Sequence, residues 1–172
     1  MTRSRKVRTR PRTGLAISDL LTSTLLSELC QPSEELWLVS GWVTNIAVLD
    51  NKHGQYDAVL GGNARSRLML TEVLAELAER GTHLHVAVRI VDHNVRFCSR
   101  LRDSVRPEKL SLYEGADLHE KIMVGEDWVL RGSMNFTWNG LQQNEESIEF
   151  TFDKSAASFE RLELRTRWIG VG

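Results

Sequence analysis

Cysteine is nearly absent from this chain. Only Cys30 and Cys98 occur, far apart and without a CxxC spacing, so neither a disulfide framework nor a thiolate metal site can be built from them. Both sit among helix-like residues and read as buried free thiols, a pattern suited to a reducing cytoplasm. Long apolar runs are missing as well. None approaches the roughly 20 residues of a membrane helix, and no stable membrane association is expected. The opening MTRSRKVRTRPRTG is basic but leads into no apolar stretch, which argues against a secretory signal. His83 and His85 alternate on one face of a strand-like run, yet no cysteine or third histidine stands at ligand spacing. That pair reads as structural, and no metal or cofactor is expected. There is no internal repeat, and no low-complexity segment beyond the first residues.

What is present is an ordinary globular balance of 172 residues, 41% hydrophobic and 26% charged, enough to bury one core. The net charge of −1 conceals an asymmetry. Six of the 22 basic residues (Arg3, Arg5, Lys6, Arg8, Arg10 and Arg12) precede the first acidic one, Asp19, leaving 16 basic against 23 acidic residues, a net of −7. Residues 1–14 are therefore expected to form a disordered basic arm, and residues 15–172 a single domain. Such an arm is either a binder of nucleic-acid phosphates, with salt-dependent affinity, or simply a solvated terminus.

Periodicity outlines the domain. Ser18 can cap a helix carrying Leu20, Leu21, Leu25, Leu26 and Leu29, ended by Pro32 and Ser33. Leu36 to Val43 is a short, nearly continuous apolar run, the mark of a strand covered on both faces. Residues 44–64 read as loop, with a short element at Ala58 to Leu60. Leu68, Leu70, Val73, Leu74 and Leu77 form a helical stripe ended by Gly81, and His83 to Ile90 follows as a strand. A shorter helix over Val95 to Val105 stops before Pro107, and Leu110 to Tyr113 is a brief strand. Lys121 to Val124 and Trp128 to Arg131 make a hairpin around Gly125-Glu126-Asp127. Ser147 to Phe152 alternates as a strand with Ile148, Phe150 and Phe152 inward, and Ala156 to Trp168 closes as a helix. Helices interleaved with strands predict a layered α/β domain, a mixed β-sheet flanked by helices.

Chemistry concentrates in residues 119–146. His119 and Lys121 are two apart, so on a strand their side chains leave the same face, and Ser133 and Asn135 repeat that relation after the hairpin. The hairpin brings the two pairs close. An imidazole then converges with an ammonium, a hydroxyl and an amide, the last three able to donate hydrogen bonds to phosphate oxygens.

This spacing resembles the HxK(x)4D(x)6GSxN signature of the phospholipase D superfamily. His119-x-Lys121 and Gly132-Ser133-x-Asn135 match it, and Phe136-Thr137 continues as family members often do. The order of elements over nearly the whole chain after the arm is similar to that of the small single-motif nucleases of the superfamily. Two departures stand out: Glu126 occupies the place of the motif aspartate, with Asp127 beside it, and Lys121 to Gly132 is one residue short. The resemblance implies that this acidic residue sits toward the hairpin turn and supports structure. It also implies that Glu146, 14 residues after Gly132, hydrogen-bonds the nucleophilic histidine, with Glu145 as the alternative. A carboxylate there would fix the tautomer and leave the other imidazole nitrogen free to attack.

The implied reaction is metal-independent hydrolysis of a phosphodiester through a phosphohistidine. Attack on phosphorus needs a neutral imidazole, whereas protonating the leaving alkoxide needs an imidazolium. A chain with one HxK therefore calls for a homodimer, with DNA or RNA as the expected substrate. Other residues have two readings. Asp92, His93 and Asn94 stand at the carboxyl end of a strand as ligand contacts or a solvated turn, and Trp42, Thr44 and Asn45 can line the same crevice. Trp138 can stack on a base or pack in the core. Two rival functions remain, a phospholipase and a noncatalytic accessory protein. The stretch GWVTNIAVLDNKHGQY faintly resembles members associated with DNA-modification and phage-defence systems.

Overall fold

Leu36, Trp37, Leu38 and Val39 are fully buried and alternate between two hydrophobic cores, which puts their strand, β2 (Glu35–Ser40), in the interior of a sheet. The computed structural model describes residues 3–8, 17–63, 65–133, 135–137 and 147–170. β2 runs parallel to β5 (His83–Arg89), which runs parallel to β6 (Leu110–Gly115). On its other side β2 pairs antiparallel with β7 (Lys121–Val124), and the sheet continues antiparallel through β8 (Trp128–Gly132), β9 (Ser147–Phe152) and β1 (Arg3–Arg8). The result is a seven-stranded mixed sheet in the order β1-β9-β8-β7-β2-β5-β6, the mixed α/β architecture expected.

Helices cover both faces. Leu36 and Leu38 join Leu21, Leu25 and Leu29 of α1 (Ile17–Cys30), Val73, Leu74 and Leu77 of α3 (Leu70–Glu79), and Phe97 and Leu101 of α4 (Asp92–Ser104). Trp37 and Val39 face the other way, onto Ala157 and Leu164 of α5 (Lys154–Trp168). Each such fully buried aliphatic side chain contributes roughly 1.5–3 kcal/mol. Gly81 links α3 to β5 with a φ of 112°, a conformation that favours glycine after a helix. Among the described residues no helix is long and apolar enough to cross a membrane.

Several local expectations need correction. Residues 3–8 of the expected disordered arm form β1, paired from Arg3↔Phe152 to Arg8↔Ser147. The physical reason is β9, which has only β8 on one side and would otherwise present an open row of amides and carbonyls; a charged strand is a common way to close such an edge. Ser18 lies inside α1, which already includes the buried Ile17. Cys30 is exposed at the end of that helix, whereas Cys98 is buried, and burial raises its thiol pKa. The 44–64 stretch contains β3 (Ala47–Asp50) and α2 (Asp57–Leu60), and β3 pairs with β4 (Arg67–Met69), which takes Leu68 out of the helix. Asp92, His93 and Asn94 are the first turn of α4 rather than a loop. Phe152 ends β9 half-exposed instead of pointing into the core.

His85 belongs to a cluster of near-parallel rings with Trp37 and Tyr113 at the core's edge. Its ring lies 4.2 Å from Trp37 and 6.1 Å from Tyr113, and its Nδ1 is 3.1 Å from the Tyr113 hydroxyl. Burial, then the nearby His83 and Arg165, lower its pKa to about 4. The Glu35 carboxylate 3.6 Å away does not hold the ring charged, because Arg161 and Arg165 already compensate it. An unfolded His85 would titrate near 6.5. Its contribution to stability is therefore complete above pH 6.5 and is lost as pH falls through 6.5 toward 4. At 1.36 kcal/mol per pKa unit the full loss is on the order of 3 kcal/mol. Thermal melts between pH 7.5 and 4.5 should show this decline in wild type and a flatter profile in His85→Phe; equal slopes would refute it.

Candidate active site

β2 and β5 end on the same side of the sheet, where α/β proteins commonly place ligands. Ser40, the last residue of β2, is in register with Lys121, the first of β7. The pairing Ile122↔Arg131 then places Gly132, at the end of β8, across from Lys121. Ser133 follows directly. The hairpin thus carries both halves of the motif to one end of the sheet, but His119 lies just before β7 and Ser133 and Asn135 lie after β8, so strand alternation does not set their faces as expected.

The turn after β2 completes this end. Ser40 Oγ donates to the Trp42 carbonyl at 2.7 Å, and residues 41–44 cross toward the Asn135 segment. Val43 bridges Phe136 in parallel fashion, and Thr44 N–H donates to the Phe136 carbonyl at 2.9 Å. Trp42 N–H donates to Asn135 Oδ1 at 3.3 Å. Since a backbone amide can only donate, this contact sets the orientation of the Asn135 side chain and leaves its NH2 as the group available to a ligand. Gly41 fits tightly. A Cβ there would lie 2.9 Å from the Leu118 carbonyl and 3.7 Å from Asn135 Oδ1, so the absence of a side chain lets the backbone just before His119 pass close to the turn after β2.

His119 is exposed, and it follows the fully buried Leu118, which anchors the segment. Lys121 Nζ donates to the His119 carbonyl at 2.6 Å, tying the HxK pair together. Ser133 is exposed and Asn135 half-buried. Four of the five predicted site residues, His119, Lys121, Ser133 and Asn135, therefore share one end of the sheet. Glu146, its alternative Glu145 and Trp138 lie outside the described residues. Glu126, in the place of the motif aspartate, is at the opposite end of β7. It pairs with Lys154 at 3.3 Å, and its carbonyl accepts from Arg161 at 2.8 Å. Its backbone N–H donates to Ser33 Oγ at 2.7 Å, which makes it a brace for the turn.

Sequence reasoning missed Gly41 and misjudged Asn94, read as a ligand contact or a solvated turn. Asn94 is buried, and its Oδ1 accepts from Val43 N–H at 2.9 Å. Its Nδ2 donates to the carbonyls of Gly41 and Arg89, each at 2.9 Å, so one side chain ties β5 and α4 to the turn that holds Asn135. Only its place after a strand's carboxyl end signalled it. Gly41 was hidden inside an apolar run. Trp42 packs under Arg89, whose guanidinium carbon lies 5.2 Å from the ring centre. A cavity of about 670 Å³ lies at the opposite end of the sheet, where Glu34, Glu35, His83, His85 and Glu126 meet Arg161 and Arg165. Most of its charged groups pair with one another.

No protein-family model matches the chain, and no curated protein matches it in sequence. Solved structures do match in fold. Nuc from Salmonella typhimurium, a phospholipase D family member, superposes with a TM-score of 0.61 at 12% identity, covering 95% of this chain and 91% of its own. NucT from Helicobacter pylori gives 0.62 at 12% identity, covering 96% and 95%. TrmBL2, an archaeal chromatin protein with a novel mode of DNA binding, gives 0.58 at 13% identity, with 96% of this chain matching 51% of that one. The chain has the phospholipase D family fold.

Proposed function

We propose that this chain is a metal-independent phosphodiesterase, a nuclease that hydrolyses DNA or RNA through a phosphohistidine at a homodimer interface. The observation that carries this reading is that the β7–β8 hairpin and the turn after β2 bring the backbone of His119, Lys121, Ser133 and Asn135 to the end of the sheet where β2 and β5 terminate. The lone pair of one neutral His119 attacks phosphorus while the P–O bond to the leaving alkoxide breaks. The partner's His119, as imidazolium, gives its proton to that alkoxide. Now neutral, it takes a proton from water, whose oxygen attacks the phosphohistidine and releases the P–N bond. Lys121 and Asn135 from both subunits hold the non-bridging oxygens and stabilise the charge that develops on them. Glu146 is assigned to orient the nucleophilic ring.

Labelled DNA and RNA incubated in EDTA should be cleaved, and the protein should run as a dimer in solution. Cleavage that depends strictly on a divalent metal, or an active monomer, would overturn the mechanism. A second reading is a noncatalytic DNA-binding member. The shortened hairpin, Glu126 at the aspartate position and the likeness to TrmBL2 favour it. An intact dimer that turns over no diester would decide for that reading. Release of head group from phosphatidylcholine vesicles, with no cleavage of nucleic acid, would point to a phospholipase instead.

A further inference from the structure

The arginines of this acidic body are mostly neutralised. Arg65, Arg80, Arg106, Arg131, Arg161, Arg165 and Arg167 each pair with a carboxylate. Arg67, Arg89, Arg96, Arg100 and Arg102 have no ion-pair partner among the described residues, and of these Arg96 and Arg100, both exposed, line one cleft of about 500 Å³. They stand four residues apart on α4, one above the other on the same helix face. Asp92 is the one carboxylate that shares the lining.

The cleft's other wall is the turn that builds the candidate active site. Thr44 and Asn45 line it, and Thr44 N–H is the group bonded to the Phe136 carbonyl beside Asn135. Thr44 Oγ1 and His93 Nε2, 3.0 Å apart, reach across from one wall to the other. Asn45 accepts through Oδ1 from the Thr71 amide and hydroxyl, each at 3.0 Å, which leaves its NH2 as a donor. Two guanidinium forks, an amide NH2 and an imidazole thus face one channel next to the motif residues. Such a set suits phosphate oxygens, and guanidinium in particular binds them in bidentate fashion.

We propose that the cleft between α4 and residues 43–45 seats the non-reacting phosphodiester backbone of a polynucleotide strand, with Arg96 and Arg100 gripping phosphates flanking the one that reacts. This rests on the phosphodiesterase reading and adds the strand-binding subsite to it. The two arginines position substrate and take no part in bond breaking.

The test compares wild type, Arg96→Gln/Arg100→Gln and a charge-matched control, Arg67→Gln/Arg102→Gln, in three measurements. These are binding of a fluorescein-labelled oligonucleotide across salt concentrations, cleavage of that oligonucleotide, and hydrolysis of bis(p-nitrophenyl) phosphate, which is too small to reach the cleft. The cleft variant should bind the oligonucleotide about 10-fold more weakly, and its plot of log affinity against log salt should flatten by about 1–2 units. KM for the oligonucleotide should rise in step, while turnover of the small diester and the control variant stay at wild-type levels. Unchanged oligonucleotide affinity and salt slope would overturn the proposal. So would an equal loss on the small diester, or an equal loss in the control. Should wild type hydrolyse no diester at all, the phosphodiesterase reading fails by itself, and the binding titration still decides the cleft.

Discussion

Replacing His119 with alanine should lower turnover of any phosphodiester by at least about 10³-fold, because the same imidazole would serve as nucleophile in one subunit and as acid and base in the other. The residue is exposed, so the substitution should leave stability within about 0.5 kcal/mol and the dimer intact. With a slow substrate and an acid quench kept brief, wild type should carry an acid-labile phosphoryl group that the variant lacks. A sharper measurement follows from sharing. If both rings face one phosphate, a dimer with one altered subunit is inactive, so activity in re-associated mixtures should fall as the square of the wild-type fraction. A linear fall would mean that each subunit works alone, and full activity of the variant would remove His119 from the chemistry.

The second large effect concerns stability at the opposite end of the sheet. Arg161 is almost fully buried. Its Nε lies 3.0 Å from Glu35 Oε1, and its Nη1 donates to the carbonyls of Gly125 and Glu126 in the hairpin turn. Arg161→Ala would strip the buried Glu35 of its most enclosed counter-charge, leaving the half-exposed Arg165 at 2.8 Å, and would orphan two turn carbonyls. Removing one member of a buried pair costs about 3–5 kcal/mol, so the melting temperature should fall by roughly 6–20 °C in a chain of this size. Replacing both members, as in Arg161→Met with Glu35→Leu, should recover at least half of that loss. A drop of under 2 °C for the single variant would show that the pair is not structural.

The placement of the motif residues was legible because they are close in sequence. His119 and Lys121 stand at the start of β7 and Ser133 directly after β8, so one hairpin brings them to one end of the sheet, and the bounds read for β7 and β9 hold. Elements defined by distant partners were not legible. β1 carries no apolar alternation and exists because β9 lacks a second neighbour. β3 and β4 are short strands that make sense only as each other's partners. Asn94 looked like an ordinary polar residue near a turn, since all three groups it binds, on Gly41, Val43 and Arg89, are reached only through the fold. The structural role of Glu126 at the turn was expected, but its partners Ser33, Lys154 and Arg161 are reached only through the fold.

The pairing of β1 with β9 bears on how the chain acquires its shape. Arg3 to Arg8 must wait for Ser147 to Phe152, so the last ladder closes over nearly the full length of the polypeptide. Long-range closure of this kind is slow, whereas the hairpin of β7 and β8 can zip locally. During synthesis the strands nearest the motif could therefore assemble well before the outer edge is sealed. In that interval β9 offers its free side to any extended segment, including the same strand of a neighbouring nascent chain.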